Sequence, residues 1–154
     1  MSKNILLVDH SDEDRLYYTH QLKKIDNGLQ FFYAGSAREA MKLLKRQKID
    51  IVFIQKDLPV VNGLLLLSAI KYISRLRKAK IYIYSEVIDE GCSSIAQMLG
   101  ASGCIEKKTD ESVTQRELKG ILNPGLMAKY VFFRKDESTA LGKFIIETRG
   151  AIPD

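Results

Sequence analysis

The sequence predicts an α/β fold, a doubly wound five-stranded parallel sheet flanked by five helices, with a short C-terminal extension. Two observations carry that expectation. Short apolar runs recur at residues 4–8, 29–34, 50–55, 81–85 and 103–106 without strict alternation, as strands covered on both faces read. Segments with apolar residues at helical spacing lie between them. Strands alternating with amphipathic helices imply parallel pairing through right-handed crossovers.

Each element has its own local signal. After the first strand, Ser11 with Asp12, Glu13 and Asp14 opens a helix whose inner face is Tyr18, Leu22 and Ile25; Asn27-Gly28 stops it. Ser36 and Glu39 have capping-box spacing for the second helix, with Ala40 and Leu44 facing inward. Pro59 and Asn62-Gly63 form a loop after the third strand. Leu66, Ile70 and Ile73 then mark the third helix. Asp89 caps a fourth helix that runs to Gly100, and Thr109-Asp110 starts a fifth carrying Leu118, Ile121 and Leu122. Pro124-Gly125 ends the pattern, so residues 1–123 read as the domain and 124–154 as the extension. In the extension, 130–133 reads as a strand with 143–148 as its antiparallel partner. A helix from Asp136 with Leu141, Phe144 and Ile145 on one face is the alternative. The density of β-branched and aromatic residues favours the hairpin, which could pack on the domain or serve as a dimer arm.

The chain has 154 residues, 45% hydrophobic and 28% charged, which suits one domain with its own core. No apolar run approaches the roughly 18 residues of a membrane span. The start, Met1-Ser2-Lys3-Asn4, lacks the features of a signal peptide, so the expected location is cytoplasmic. Cys92 and Cys104 read as reduced, buried thiols. The net charge is +5. Basic residues cluster at Lys42, Lys45, Arg46 and Lys48, and again at Lys71, Arg75, Arg77, Lys78 and Lys80. Both clusters fall at expected helix ends, where cations complement the helix dipole. Aromatics do not alternate with them, so nucleic acid is the less expected partner. A basic adaptor, binding nucleic acid or an acidic partner through residues 75–80, is kept as the second functional class.

Sites in open parallel sheets form at the carboxyl ends of the strands. Here those ends carry Asp9-His10, Gln55, Ser85 and Lys107. The motifs ILLVDHSDEDR, DLPVVNG, IYIYS and GASGCIEK, within residues 4–122, resemble the receiver domain of two-component response regulators, the CheY-like, flavodoxin-like fold. The resemblance implies roles position by position. Asp9 takes the place of the first of two metal-binding acids, and His10 stands where the second is expected. Gln55 holds the phosphoacceptor position, and Asp57 the position whose backbone carbonyl reaches the metal. Ser85 is the switch hydroxyl, Cys104 stands for the aromatic rotor, and Lys107 is the family's lysine, followed by Lys108 where a proline is usual.

These departures act on one chemistry. A carboxylate is a nucleophile, whereas a glutamine amide is neutral and poorly nucleophilic. Mg²⁺ favours hard anionic oxygens, and an imidazole suits other metals. The implied protein is a degenerate receiver, or pseudo-receiver, with no catalysis, no cofactor and weak or absent Mg²⁺ binding. In the expected pocket the Gln55 amide accepts from Lys107 and donates to Asp9. A bulky aromatic rotor cannot be supplied by Cys104.

Rival chemistries are poorly supported. A metal site from Asp9, His10 and Asp57 has too few spaced ligands. An Asp9–His10–Ser85 triad fails because adjacent strand residues face opposite ways, and no G-x-S-x-G elbow is present. Asp57 as substitute acceptor sits on a loop and is expected to point away from Asp9. The expected role is signal transduction by protein–protein interaction without phosphorylation, with a histidine kinase or downstream effector as partner. By resemblance, the contact face would include Ile95, Met98 and Leu99. A homodimer through the extension is a further expectation.

Overall fold

Strand β1 (Asn4–Val8) buries Ile5, Leu6, Leu7 and Val8 completely. A strand with no polar face can only be central, and β1 lies between β2 (Gln30–Ala34) and β3 (Ile51–Gln55). Strands β4 (Lys80–Ser85) and β5 (Gly103–Glu106) complete a parallel sheet of order β2-β1-β3-β4-β5. This computed structural model describes residues 2–73 and 76–123, together with the strand backbones of 132–135 and 144–147.

Alternate residues of the strands feed two cores. Leu6, Val8, Val52, Ile54, Ile83 and Cys104 pack against α2 (Ala37–Arg46), α3 (Gly63–Ile70) and α4 (Glu90–Met98). Ile5, Leu7, Phe53, Tyr82 and Tyr84 pack against α1 (Asp12–Ile25) and α5 (Glu111–Leu122). Each fully buried Leu, Ile or Phe contributes about 1.5–3 kcal/mol relative to exposure.

Helix starts follow the cap residues. The side chains of Ser11, Asn62 and Asp89 accept from the amides of Asp14, Leu65 and Cys92 at 3.1, 3.0 and 2.7 Å. Ser36 accepts from Glu39 N at 3.2 Å, but the Glu39 carboxylate reaches Gly35 N at 2.7 Å instead of closing a capping box on Ser36. Helix α3 stops at Ile70, short of the expected Ile73. Ile73 packs on the core from the turn beyond, where its amide bonds to the Ile70 carbonyl at 2.8 Å. Its apolar spacing therefore continued past the helix itself. Helix α4 ends at Met98, and Gly100 reverses the chain at φ +93°, a backbone region that favours glycine.

Helices α1 and α5 are joined by polar contacts. Gln21 donates to Glu111 at 2.9 Å, Gln115 donates to Gln21 Oε1 at 2.6 Å, and Lys24 pairs with Glu111. In the extension, β6 (Phe132–Lys135) pairs antiparallel with β7 (Phe144–Glu147), and β7 runs beside α4. Tyr130, Asp136 and Leu141 lie outside the described residues.

The tightest backbone approach is at Gly63. A Cβ there would lie 2.3 Å from the Gln55 carbonyl oxygen, so the first residue of α3 must be glycine for the loop to close on β3. Gly63→Ala is expected to lower stability by roughly 2–3 kcal/mol, as overpacking against backbone does; urea denaturation checks this. Burial pushes the Glu117 carboxyl on α5 up from 4.5 to about 7, with Lys108 opposing and Glu106 adding to the shift. The folded chain then holds a proton that the unfolded chain releases. Stability contributed by this group is expected to fall as pH rises from 4.5 through about 7. Glu117→Gln should remove that slope from a series of melts across the range.

Candidate functional site

Asp9 leaves β1 with its side chain wholly out of water. An isolated carboxylate there would be several kcal/mol unfavourable, so its oxygens must be met by donors. The Ser11 amide, where α1 begins, donates to Oδ1 at 2.9 Å. The Tyr84 hydroxyl donates to Oδ2 at 2.7 Å, and the Lys107 ammonium to the same oxygen at 3.0 Å. Lys107 also donates to Asp14 Oδ2 at 2.6 Å and stands 4.6 Å from the centre of the Tyr84 ring, within cation–π range. Burial, and next the charge of Asp9, hold the Tyr84 phenol well above its usual value, so it remains a donor. Arg15 closes the backbone side by donating to the Asp9 carbonyl at 2.7 Å and pairs with Asp12.

His10 faces solvent, half exposed, with Nδ1 3.8 Å from Asp9 Oδ1, beyond hydrogen-bond range. Gln55 ends β3 as the register partner of Tyr84 and is buried. Its expected bonds are absent: Oε1 is buried without a partner, and Lys107 turns to Asp9 and Asp14. An ammonium binds charged oxygens more strongly than a neutral amide. Tyr84 meanwhile occupies the acceptor that the Gln55 amide was expected to reach.

Ser85 and Cys104 fall on the other side of the sheet, and Asp57 lies in the loop after β3. Ser85 shares strand parity with Ile83 of the α2–α4 core and is buried. Its hydroxyl meets Asp57 Oδ2 at 3.4 Å, a long contact to an exposed side chain. Cys104 is buried against Cys92, and both thiols are free. Hydrogen bonding to Cys92, then burial, holds the Cys104 thiol up. On α4, Ile95 and Met98 are exposed. Leu99, the C-cap of α4, is half-buried, partly packed against the core. Among the described residues, no group of three or more His, Cys, Asp or Glu side chains gathers as metal ligands.

The structure therefore joins Asp9 and Lys107, brings His10 near, and leaves Ser85, Asp57 and Cys104 as a separate set. Sequence reasoning missed Tyr84 and Asp14. Tyr84 is readable in hindsight from the IYIYS strand, since it faces opposite to Ser85. From the sequence, Asp14 reads only as an acid of the helix's first turn.

The profile of the response regulator receiver domain family matches residues 5–119. The chain belongs to that family. It is 30% identical over 118 residues to the transcriptional activator protein ExaE of Pseudomonas putida, covering 77% of this chain and 54% of that one. The chain thus spans about half the length of this relative. Among solved structures it resembles chemotaxis response regulator CheY4 of Vibrio cholerae, with TM-score 0.70 and 21% identity over 79% of this chain and 99% of that one. The phosphorylated cyanobacterial phytochrome response regulator RcpA gives TM-score 0.72 and 22% identity over 80% and 93%. A response regulator from Thermotoga maritima gives 0.68 and 24% over 80% and 99%. These likenesses match the predicted CheY-like fold. No helix among the described residues is long and apolar enough to cross a membrane.

Two substitutions separate the partners of this pocket. Lys107→Met leaves the Asp9 charge without its counter-ion and is expected to lower stability by about 3–5 kcal/mol. Gln55→Met removes an amide whose oxygen is unsatisfied, and stability should hold or rise by about 1–2 kcal/mol. Equal losses in chemical denaturation would mean that Lys107 is not the anchor.

Proposed function

We propose that this receiver domain transmits signals by binding another protein, without phosphorylation of its own and without catalysis, in the cytoplasm. The observation that carries this reading is the pairing of a neutral amide at the end of β3 with an Asp9 carboxylate already met by Ser11, Tyr84 and Lys107. Phosphoryl transfer to an aspartate needs a nucleophilic carboxylate, and Gln55 offers none. The chain is read as a pseudo-receiver on that ground.

The family's Mg²⁺ does not fit the residues present. Mg²⁺ takes octahedral oxygen ligands and favours anionic ones. Gln55 Oε1 is an orphaned acceptor, but it is a neutral one. Both Asp9 oxygens are already hydrogen-bonded, and His10 brings nitrogen. No step of the function is therefore routed through a metal.

A histidine kinase or a downstream effector is the class of partner proposed. Exposed Ile95 and Met98 on α4 offer an apolar contact, and β7 beside α4 would extend it or arrange a homodimer. ExaE is a transcriptional activator protein; this chain spans about half of it, so a transcriptional output is the second reading.

Amide NMR tests the core of this reading. Beryllofluoride with Mg²⁺ is expected to leave the spectrum unchanged, Mg²⁺ alone should not raise Tm, and acetyl phosphate should add no phosphate to the intact mass. Gln55→Asp should remain unphosphorylated because His10 still occupies the second acid's place. A Mg²⁺-dependent phospho-form of the wild-type chain would overturn the proposal.

A further inference from the structure

The five strands of the parallel sheet all start, and the helices α1 to α5 all end, at the pole opposite Asp9. Described members of the two basic clusters lie there. Lys45 and Arg46 close α2, and Lys48 follows in the connection to β3. Lys71 caps α3, Arg77 and Lys78 lie in the next connection, and Lys80 opens β4. All seven are exposed, and none forms an ion pair among the described residues. The acids nearby are engaged locally: Asp50 accepts from Asn4 N at 2.7 Å and Asp26 from Gly28 N at 2.9 Å. The other pole carries the acidic first turns of α1, α2, α4 and α5.

The helix dipole accounts for Lys45 and Arg46, because its field fades within the last turn. It does not account for Lys48, Arg77, Lys78 and Lys80, which lie beyond the helix ends. Crowded like charges repel and weaken the fold. Such a concentration gains from an anionic partner what it loses in self-repulsion.

We propose that this pole binds the phosphate backbone of double-stranded DNA without reading its sequence. Helices α2 and α3 pack side by side on one face of the sheet. The described members of both clusters thus sit at the same end of that face, around the starts of β3 and β4. A duplex carries one phosphate charge per roughly 1.7 Å of its axis, so a continuous basic pole can meet several phosphates at once. Most of these cations are lysines, point charges suited to phosphates rather than to bidentate base recognition. Single strands need a platform of aromatics, whereas Tyr72 is the exposed aromatic here, with Lys71 5.3 Å from its ring centre. A membrane surface needs an apolar face, and this pole exposes Tyr72 and Met98 among the described residues. The proposal uses none of the Asp9 pocket and stands apart from the phosphorylation question.

The test is fluorescence anisotropy of the full chain with a labelled 20-base-pair duplex over a salt series. Binding is expected near 10⁻⁴–10⁻⁶ M at physiological salt, with a log–log salt slope of about −4 to −6. Lys45→Glu with Lys48→Glu, and Arg77→Glu with Lys78→Glu, should each weaken binding about tenfold or more and flatten the slope by about 2. Arg38→Glu with Lys108→Glu makes the same change of net charge at the acidic pole and should stay within about threefold of wild type. Circular dichroism confirms that all three variants fold. No duplex binding, an equal loss in the Arg38/Lys108 variant, or binding to phosphatidylserine vesicles in place of DNA would each overturn the proposal.

Discussion

A carboxylate withdrawn from water sets conditions on everything around it. Asp9 is wholly buried, and three donors from separate segments converge on it: Ser11 where α1 begins, Tyr84 from β4 and Lys107 after β5. Strand β3 lies between β1 and β4, so Tyr84 must reach across the end of β3. That requirement binds the β4 and β5 ends to the start of α1 and fixes the loop after β5. Lys107 is held from three sides, by Asp9, Asp14 and the Tyr84 ring. An ammonium so constrained has little freedom to follow a ligand, because leaving would strand a buried charge.

Gln55 takes its meaning from that arrangement. A second carboxylate at its place would add negative charge beside Asp9 and Asp14, which share one lysine between them. An amide adds none. The unmet Gln55 Oε1 costs about 1–3 kcal/mol, a smaller penalty than another buried anion without a counter-ion. The pocket is thus stable with a neutral residue in it. Ser85 and Cys104, on the other strand parity, and Asp57, in the loop after β3, are linked to it through the sheet and not by direct bonds. The pocket's charge network and the buried thiols are two separate packing problems in one molecule.

What the sequence disclosed follows the range of the forces involved. Apolar runs and cap residues act over a few positions, so the five parallel strands, the Ser11, Asp89 and Asp110 caps and the receiver resemblance were all readable. Ile73 misled because burial continues past the end of α3 and apolar spacing reports burial, not helix. The Gln55 hydrogen bonds were expected from chemical complementarity alone. Whether an amide or a phenol reaches Asp9 is decided by register, and Tyr84 pairing with Gln55 is a contact between distant segments. Asp14 was hidden in the same way, since a helix-start acid carries no sign of the lysine 93 residues away.

Charge polarity follows from the same geometry at the scale of the whole domain. Every crossover in a parallel sheet returns its helix antiparallel to the strands, so all helix starts share one pole and all helix ends the other. Acids in first turns and cations in last turns each lower the energy of a single helix. Repeated around the sheet, these local preferences sum to a dipole across the molecule. The sum explains why the acids cluster around Asp9, and why an ammonium is needed there. It leaves unexplained the cations that lie outside the helices, in the segments leading to β3 and β4. The helix dipole gives these residues no reason to be basic, and each addition raises the repulsion among its neighbours. A constraint from outside the fold, an anion meeting that pole, is the physical account that covers them.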